Sequence, residues 1–160
     1  MFSGSRISLD FSNDIDGVEY VSVLKNVYAI ALGIVAGRYN SPNVDFMLLT
    51  KAANEMKRYL AFMNCDEQTV FKYCGIGDLG LTGLNDLSRN RTLGLLIGKG
   101  FLNDSQESSV VMEGLRSVQI LAQQISASEV GESGFSLMLS LNRLLMNQLT
   151  VAEFCDVALS

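Results

Sequence analysis

Apolar residues recur along this chain at helical spacing. From Val18 to about Gly37 the positions Val23, Leu24, Val27, Tyr28, Ala31, Ile34 and Val35 fall at steps of three and four. That spacing predicts a helix with a broad apolar face. Ser41-Pro42 places a capping serine before a proline at the first helical position, which predicts a second helix to about Met63. Asp66 is expected to cap a short helix to about Cys74. Further helices are expected from Ser88 to Lys99-Gly100, from about Ser108 to Ser126 and over Ser136–Met146. The last starts at Thr150, where Thr-Val-Ala-Glu reads as a capping box closed by Glu153.

One stretch has a different period. Residues 5–12 alternate polar and apolar, which predicts one short strand, and Asn13 to Gly17 is turn chemistry. Gly75, Gly77, Gly80 and Gly83 crowd the segment Cys74–Gly83, which is expected to be a loop of unusual backbone geometry. No repeat or linker divides residues 1–160. The expected fold is all-α, a compact multi-helix domain with one short N-terminal strand.

Composition narrows the function classes. Hydrophobic residues are 48% and charged residues 18%, enough to build a core and too apolar for disorder. The net charge of −5 comes from twelve basic residues scattered among seventeen acidic ones. A nucleic-acid footprint needs a basic stripe, so no nucleic-acid partner is expected. The longest unbroken apolar run, Val27 to Gly37, is short for a bilayer, so no membrane span is expected. No signal-type apolar segment follows Met1–Ser5, and Cys65, Cys74 and Cys155 form no metal-type pairing. Free thiols, no metal site and a cytoplasmic location are expected. Histidine is absent, so acid–base chemistry must use Lys, Asp, Glu, Tyr or Cys.

Lys25 is the only charged residue between Glu19 and Arg38. No carboxylate lies one turn away, so a buried ammonium here needs a partner from elsewhere in the fold. The alternative is a lysine that snorkels at the helix flank. Asp78, within the glycine-rich segment, is either a turn aspartate or a carboxylate held near a buried cation. Paired with Lys25, it would keep that lysine charged and able to donate a proton. Thr82 adds a hydroxyl nearby in sequence. Ser88-Arg89-Asn90-Arg91 stands at a predicted helix start, where free N–H groups and the helix dipole attract phosphate. Arg89 or Arg91 could add a two-pronged anion contact; the alternative is a serine cap with solvated arginines. Glu113, in Val111-Met-Glu-Gly, has no special role on physical grounds. Gly75-Ile-Gly77 lacks the third glycine and the preceding strand of a dinucleotide fingerprint.

These pieces, in this order, resemble the C-terminal domain of NAD(P)-dependent glycerol-3-phosphate dehydrogenase. Gly17-Val-Glu with Leu24-Lys25-Asn26 and Val27–Gly33 is similar to the family's catalytic-lysine helix. Gly75-Ile-Gly-Asp78-Leu, Ser88-Arg-Asn-Arg91 and Val111-Met-Glu113-Gly resemble its later motifs. The resemblance covers about residues 8–125; residues 126–160 match poorly, and Gly83 stands where a cysteine is common.

The resemblance implies a helical domain of the 6-phosphogluconate dehydrogenase-like superfamily. It implies Lys25 as the catalytic acid–base residue. It also implies substrate contacts from Lys25, Asn26, Asp78, Thr82, Ser88, Arg89 and Asn90, and cofactor contacts from Arg89, Val111 and Glu113. The substrates would be dihydroxyacetone phosphate and sn-glycerol 3-phosphate, in carbohydrate metabolism that feeds phospholipid biosynthesis. NAD or NADP would bind mainly to an N-terminal Rossmann domain, which this sequence does not contain and which would be its partner. An exposed domain interface would invite self-association as a homodimer. Two other readings are a non-catalytic binding module that keeps this fold, and the helical domain of a related dehydrogenase for another small anion.

Overall fold

The computed structural model describes residues 4, 6, 9–85, 87–101, 109–127 and 134–160; side chains of 109–113 lie outside that set. The elements in chain order are α1 (Ile15–Arg38), α2 (Pro42–Phe62), a 3-10 turn (Glu67–Phe71), a π-helical turn (Tyr73–Gly77), α3 (Asp78–Leu84), α4 (Arg89–Gly98), α5 (Ser109–Ser126), α6 (Ser136–Leu145) and α7 (Val151–Leu159). The fold is all-helical.

α1 is the centre. Every residue from Val27 to Val35 is buried, so the broad apolar face predicted for this helix becomes its whole circumference there. α2, α3, α4 and α5 all pack on it. By length and composition α1 is apolar enough to cross a membrane, longer than the run read from sequence. Here neighbouring helices cover that apolar surface, which is how an all-round hydrophobic helix serves as the core of a globular fold.

The closest packing is between α1 and α4, and glycine makes it possible. A Cβ at Gly33 would lie 2.3 Å from the Arg91 carbonyl oxygen, one at Gly94 2.1 Å from that of Ile30, and one at Gly98 2.2 Å from that of Ile34. Gly33/Gly37 and Gly94/Gly98 sit four apart on their helices, so each pair lies on one face. Backbone therefore meets backbone, and the start of α4 is fixed against the middle of α1.

Glu55 is the one buried carboxylate among the described residues. It lies on the apolar stripe of α2, between Ala52 and Met56, both buried. Its carboxylate accepts from the backbone N–H groups of Leu137 (2.7 Å) and Met138 (3.0 Å) and from the Tyr28 hydroxyl (2.9 Å). Phe135, the N-cap of α6, supplies no side-chain cap. Glu55 thus caps α6 from another helix and ties α1, α2 and α6 at one point. Burial pushes its carboxyl pKa up, with the three hydrogen bonds opposing the shift. The Tyr28 hydroxyl is pushed up by burial first and by the Glu55 charge second.

Local signals define the helix ends. Asp14 accepts from Gly17 N–H and starts α1 inside the expected turn. Asn64 and Asn147, both at φ 57°, and Gly100 at φ 73° terminate α2, α6 and α4. In each, the next two N–H groups bond back to the last turn, as with Asn64 to Ala61 (3.1 Å) and Cys65 to Leu60 (2.9 Å). The Thr150–Glu153 capping box forms as expected.

Three expectations change. Leu9 to Ser12 form no strand, and residues 5, 7 and 8 lie outside the described set. A strand needs a partner ladder, and the described residues contain none. Phe11 is 81% exposed, in a groove with Leu9, Ile15 and Tyr73. The short helix after Asp66 is a 3-10 turn followed by a π turn. The glycine-rich segment is helical: Gly77 has φ −62° and ψ −50°, and Asp78–Leu84 is α3. Its glycines permit close contact instead of left-handed turns. A Cβ on Gly75 would sit 2.1 Å from the Val70 carbonyl, and one on Gly83 would sit 3.2 Å from Leu32 Cδ2.

Candidate functional site

Lys25 projects from α1 toward the first residue of α3. Its Nζ donates to Asp78 Oδ2, and the two side chains are 16% and 35% exposed. The distant partner that the lone lysine required is therefore Asp78. Thr82, one turn further along α3, donates its hydroxyl to Asp78 Oδ1 at 3.3 Å. Lys25, Asp78 and Thr82 form one connected polar row at the edge of the core. The pairing leaves the ammonium partly open to solvent.

A cavity of about 240 Å³ lies between α1, α4 and α5, and Lys25, Asp78 and Thr82 are not in its lining. It is lined by Val23, Asn26, Val27, Ile30, Arg89, Asn90, Gly114 and Ser117. α1 contributes its floor, the first turn of α4 one wall and α5 the other. Asn26 follows Lys25 directly on α1 but points about 100° around the helix from it, toward the cavity. Asn26 donates its amide to the Ser22 carbonyl at 3.0 Å, which leaves its amide oxygen free of that bond.

Ser88 is the N-cap of α4; its hydroxyl accepts from Arg91 N–H at 3.4 Å. Arg89 is exposed and Asn90 half-buried, both on the cavity wall at the positive end of α4. Arg91 differs from its expected place. It is 7% exposed, and its guanidinium donates to the Gly83 carbonyl at the end of α3, so it is neither solvated nor in the cavity lining. Val111 and Glu113 lie in the first turns of α5, and their side chains fall outside the described set. Ser117, two turns on, joins the cavity without having been singled out. Glu55 was also overlooked. Its signal was a carboxylate on an otherwise apolar helix stripe.

Among the described residues, no group of three or more His, Cys, Asp or Glu could hold a metal ion. Cys65, Cys74 and Cys155 are free thiols. The arrangement offers an ammonium with its carboxylate on one face of α1, a cavity on another and an arginine at a helix N-terminus. Together these can grip a small anion and pass a proton to it.

Comparison with known proteins identifies the family. Residues 14–156 match the family described as NAD-dependent glycerol-3-phosphate dehydrogenase C-terminus. The match extends past residue 125, where the motif resemblance ended. A glycerol-3-phosphate dehydrogenase [NAD(P)+] from Methanothermobacter thermautotrophicus is 39% identical over 130 residues, 81% of this chain and 40% of that protein. One from Deinococcus radiodurans is 41% identical over 110 residues, 69% of this chain and 33% of that protein. The chain thus spans less than half the length of these relatives. The crystal structure of glycerol-3-phosphate dehydrogenase from Coxiella burnetii superposes with a TM-score of 0.82 at 28% identity, covering 98% of this chain and 48% of that one. The matched residues, the relatives and the shared fold place this chain in the C-terminal-domain family of NAD-dependent glycerol-3-phosphate dehydrogenase.

Proposed function

We propose that this chain is the substrate-binding and proton-transferring half of a glycerol-3-phosphate dehydrogenase, active when joined to a nucleotide-binding half. The observation that carries the reading is the Lys25–Asp78 pair between α1 and α3, where the residue after Lys25, Asn26, walls a cavity with Arg89 and Asn90. The cavity, at about 240 Å³, is below the roughly 300–1,000 Å³ of pockets for larger ligands. It suits a three-carbon phosphate ester better than a dinucleotide, so NAD or NADP would bind mainly to the Rossmann half. Arg89, Val111 and Glu113 would touch its nicotinamide end.

In this reading the bound cofactor supplies a hydride to the C2 carbonyl carbon of dihydroxyacetone phosphate. Lys25 donates a proton to the carbonyl oxygen, the C–O double bond becomes an alcohol, and solvent later reprotonates the amine. Asp78 aims Lys25, while Asn26 and Thr82 flank the substrate's polar end. Ser88, Arg89 and Asn90 hold the phosphate at the α4 N-terminus, which orients the carbonyl toward Lys25. The reverse reaction uses the same groups with neutral Lys25 as base. Three free thiols suit a reducing, cytoplasmic setting.

The test joins this chain to the nucleotide-binding half of the Methanothermobacter relative and follows NADH oxidation with dihydroxyacetone phosphate. Turnover that is lost in Lys25→Ala is the expected result. Turnover that survives Lys25→Ala would remove the lysine from the mechanism. No turnover, and no binding of glycerol 3-phosphate, would favour a non-catalytic module.

A further inference from the structure

We infer that Arg91 is a positioning residue that sets the spacing between the proton-transfer pair and the anion-holding wall. The inference rests on the reaction proposed above. Arg91 is anchored at both ends. Its N–H donates to the Ser88 hydroxyl at the cap of α4, and its buried guanidinium donates to the Gly83 carbonyl. Gly83 lies in the last turn of α3, next to Thr82 and five residues after Asp78.

α3 has only seven residues, and its terminal carbonyls have no partners within the helix. A guanidinium there supplies a charge-assisted hydrogen bond and complements the negative end of the helix. α3 also rests on α1 where Gly83 faces Leu32. α4 is already fixed to α1 by the glycine contact. Arg91 therefore closes a triangle of α1, α3 and α4. Two of its corners carry the groups that must act together: Asp78 and Thr82 on α3, and Arg89 and Asn90 on α4. The two residues before it, Arg89 and Asn90, line the cavity, whereas its guanidinium goes to the Gly83 carbonyl. A residue so placed acts through the geometry of the others, without touching substrate.

The test uses the joined two-domain enzyme with Arg91→Met, which keeps the stem and removes the donors, and Arg91→Lys, which keeps one. In Arg91→Met, kcat should fall about tenfold or more while KM for dihydroxyacetone phosphate stays within about threefold of the parent. Arg91→Lys should recover part of the lost kcat, and Arg89→Ala should instead raise KM. Amide exchange across α3 should quicken about tenfold in Arg91→Met, with α2 unchanged. A rise in KM like that of Arg89→Ala, at unchanged kcat, would make Arg91 an anion ligand and overturn the inference. Unchanged α3 exchange would overturn it too. Should Arg91→Met not fold, Arg91→Lys carries both readouts. If the parent itself does not turn over, the proposed reaction fails, and α3 exchange still decides whether Arg91 tethers the helix.

Discussion

The hydroxyl of Tyr28 on α1 donates to the carboxylate of Glu55 on α2 at 2.9 Å, and both side chains are buried. The bond is a cross-brace for the central helix. Tyr28 lies three residues after Lys25, so fixing its rotation also fixes the direction in which Lys25 projects.

Removing Glu55 should therefore be costly. Glu55→Ala strips the partners from the Leu137 and Met138 N–H groups and from Tyr28, and leaves a cavity. A loss of about 3–5 kcal/mol is expected in denaturant unfolding. Glu55→Gln keeps one acceptor and should lose less, about 1–3 kcal/mol.

Glu55 also gives stability a pH dependence with a definite sign. Its folded-state pKa is raised above the ordinary 4.5 by burial. Between that ordinary value and the raised one, the folded chain holds a proton that the unfolded chain has released. Glu55's contribution is thus complete below the unfolded pKa and declines as pH rises through the folded one. Unfolding free energies measured across mildly acidic to neutral pH should show this slope, and Glu55→Gln should flatten it.

The glycines separate by what surrounds them. Gly94→Ala places a methyl group 2.1 Å from the Ile30 carbonyl oxygen, where only backbone could yield. It should destabilise by about 1–3 kcal/mol or more. Gly80→Ala meets nothing within 4 Å inside α3. It should stabilise by about 0.5–1 kcal/mol through helix propensity. Paired thermal melts check both; a Gly94→Ala protein as stable as the parent would refute the packing role of Gly94.

Asp78→Asn keeps the shape beside Lys25 and removes the charge. In the joined enzyme it should lower kcat by less than Lys25→Ala, for which a fall of about 10²–10⁴-fold is expected. Steady-state rates on the two variants are the measurement. A larger loss in Asp78→Asn would mean that the carboxylate itself moves the proton.

At the C-terminus, Thr150 and Glu153 close α7 with reciprocal bonds of 3.2 Å and 2.7 Å. Thr150→Ala should cost about 1 kcal/mol. Bonds from Thr150 hold the Glu153 carboxyl below its ordinary 4.5, so its contribution is present above that value and is lost as pH falls through the lowered one. Amide exchange in α7 should therefore quicken in strong acid, and earlier in Thr150→Ala.

Sequence by itself determined every α-helix but α3, and most of their ends. Period, Pro42 after Ser41, and the Thr150–Glu153 box all act within one or two turns, so the chain states them locally. It also supplied the motif resemblance that named the family. The alternation at residues 5–12 misled because a strand exists only with a partner, and period cannot supply one.

Tertiary structure decided what these residues do to one another. Lys25 and Asp78 are 53 residues apart, and nothing near either announces the other. Arg91 read as a candidate anion contact until the end of α3 was found beneath it. The glycines at 33, 94 and 98 look like helix-weakening choices in isolation, and those of 75–83 look like a loop. Only the approach of a second element shows that a side chain at 33, 75, 94 or 98 would collide, whereas one at 80 would not. Local sequence fixes backbone conformation; partners, burial and spacing belong to pairs of elements, and exist only once the chain has brought them together.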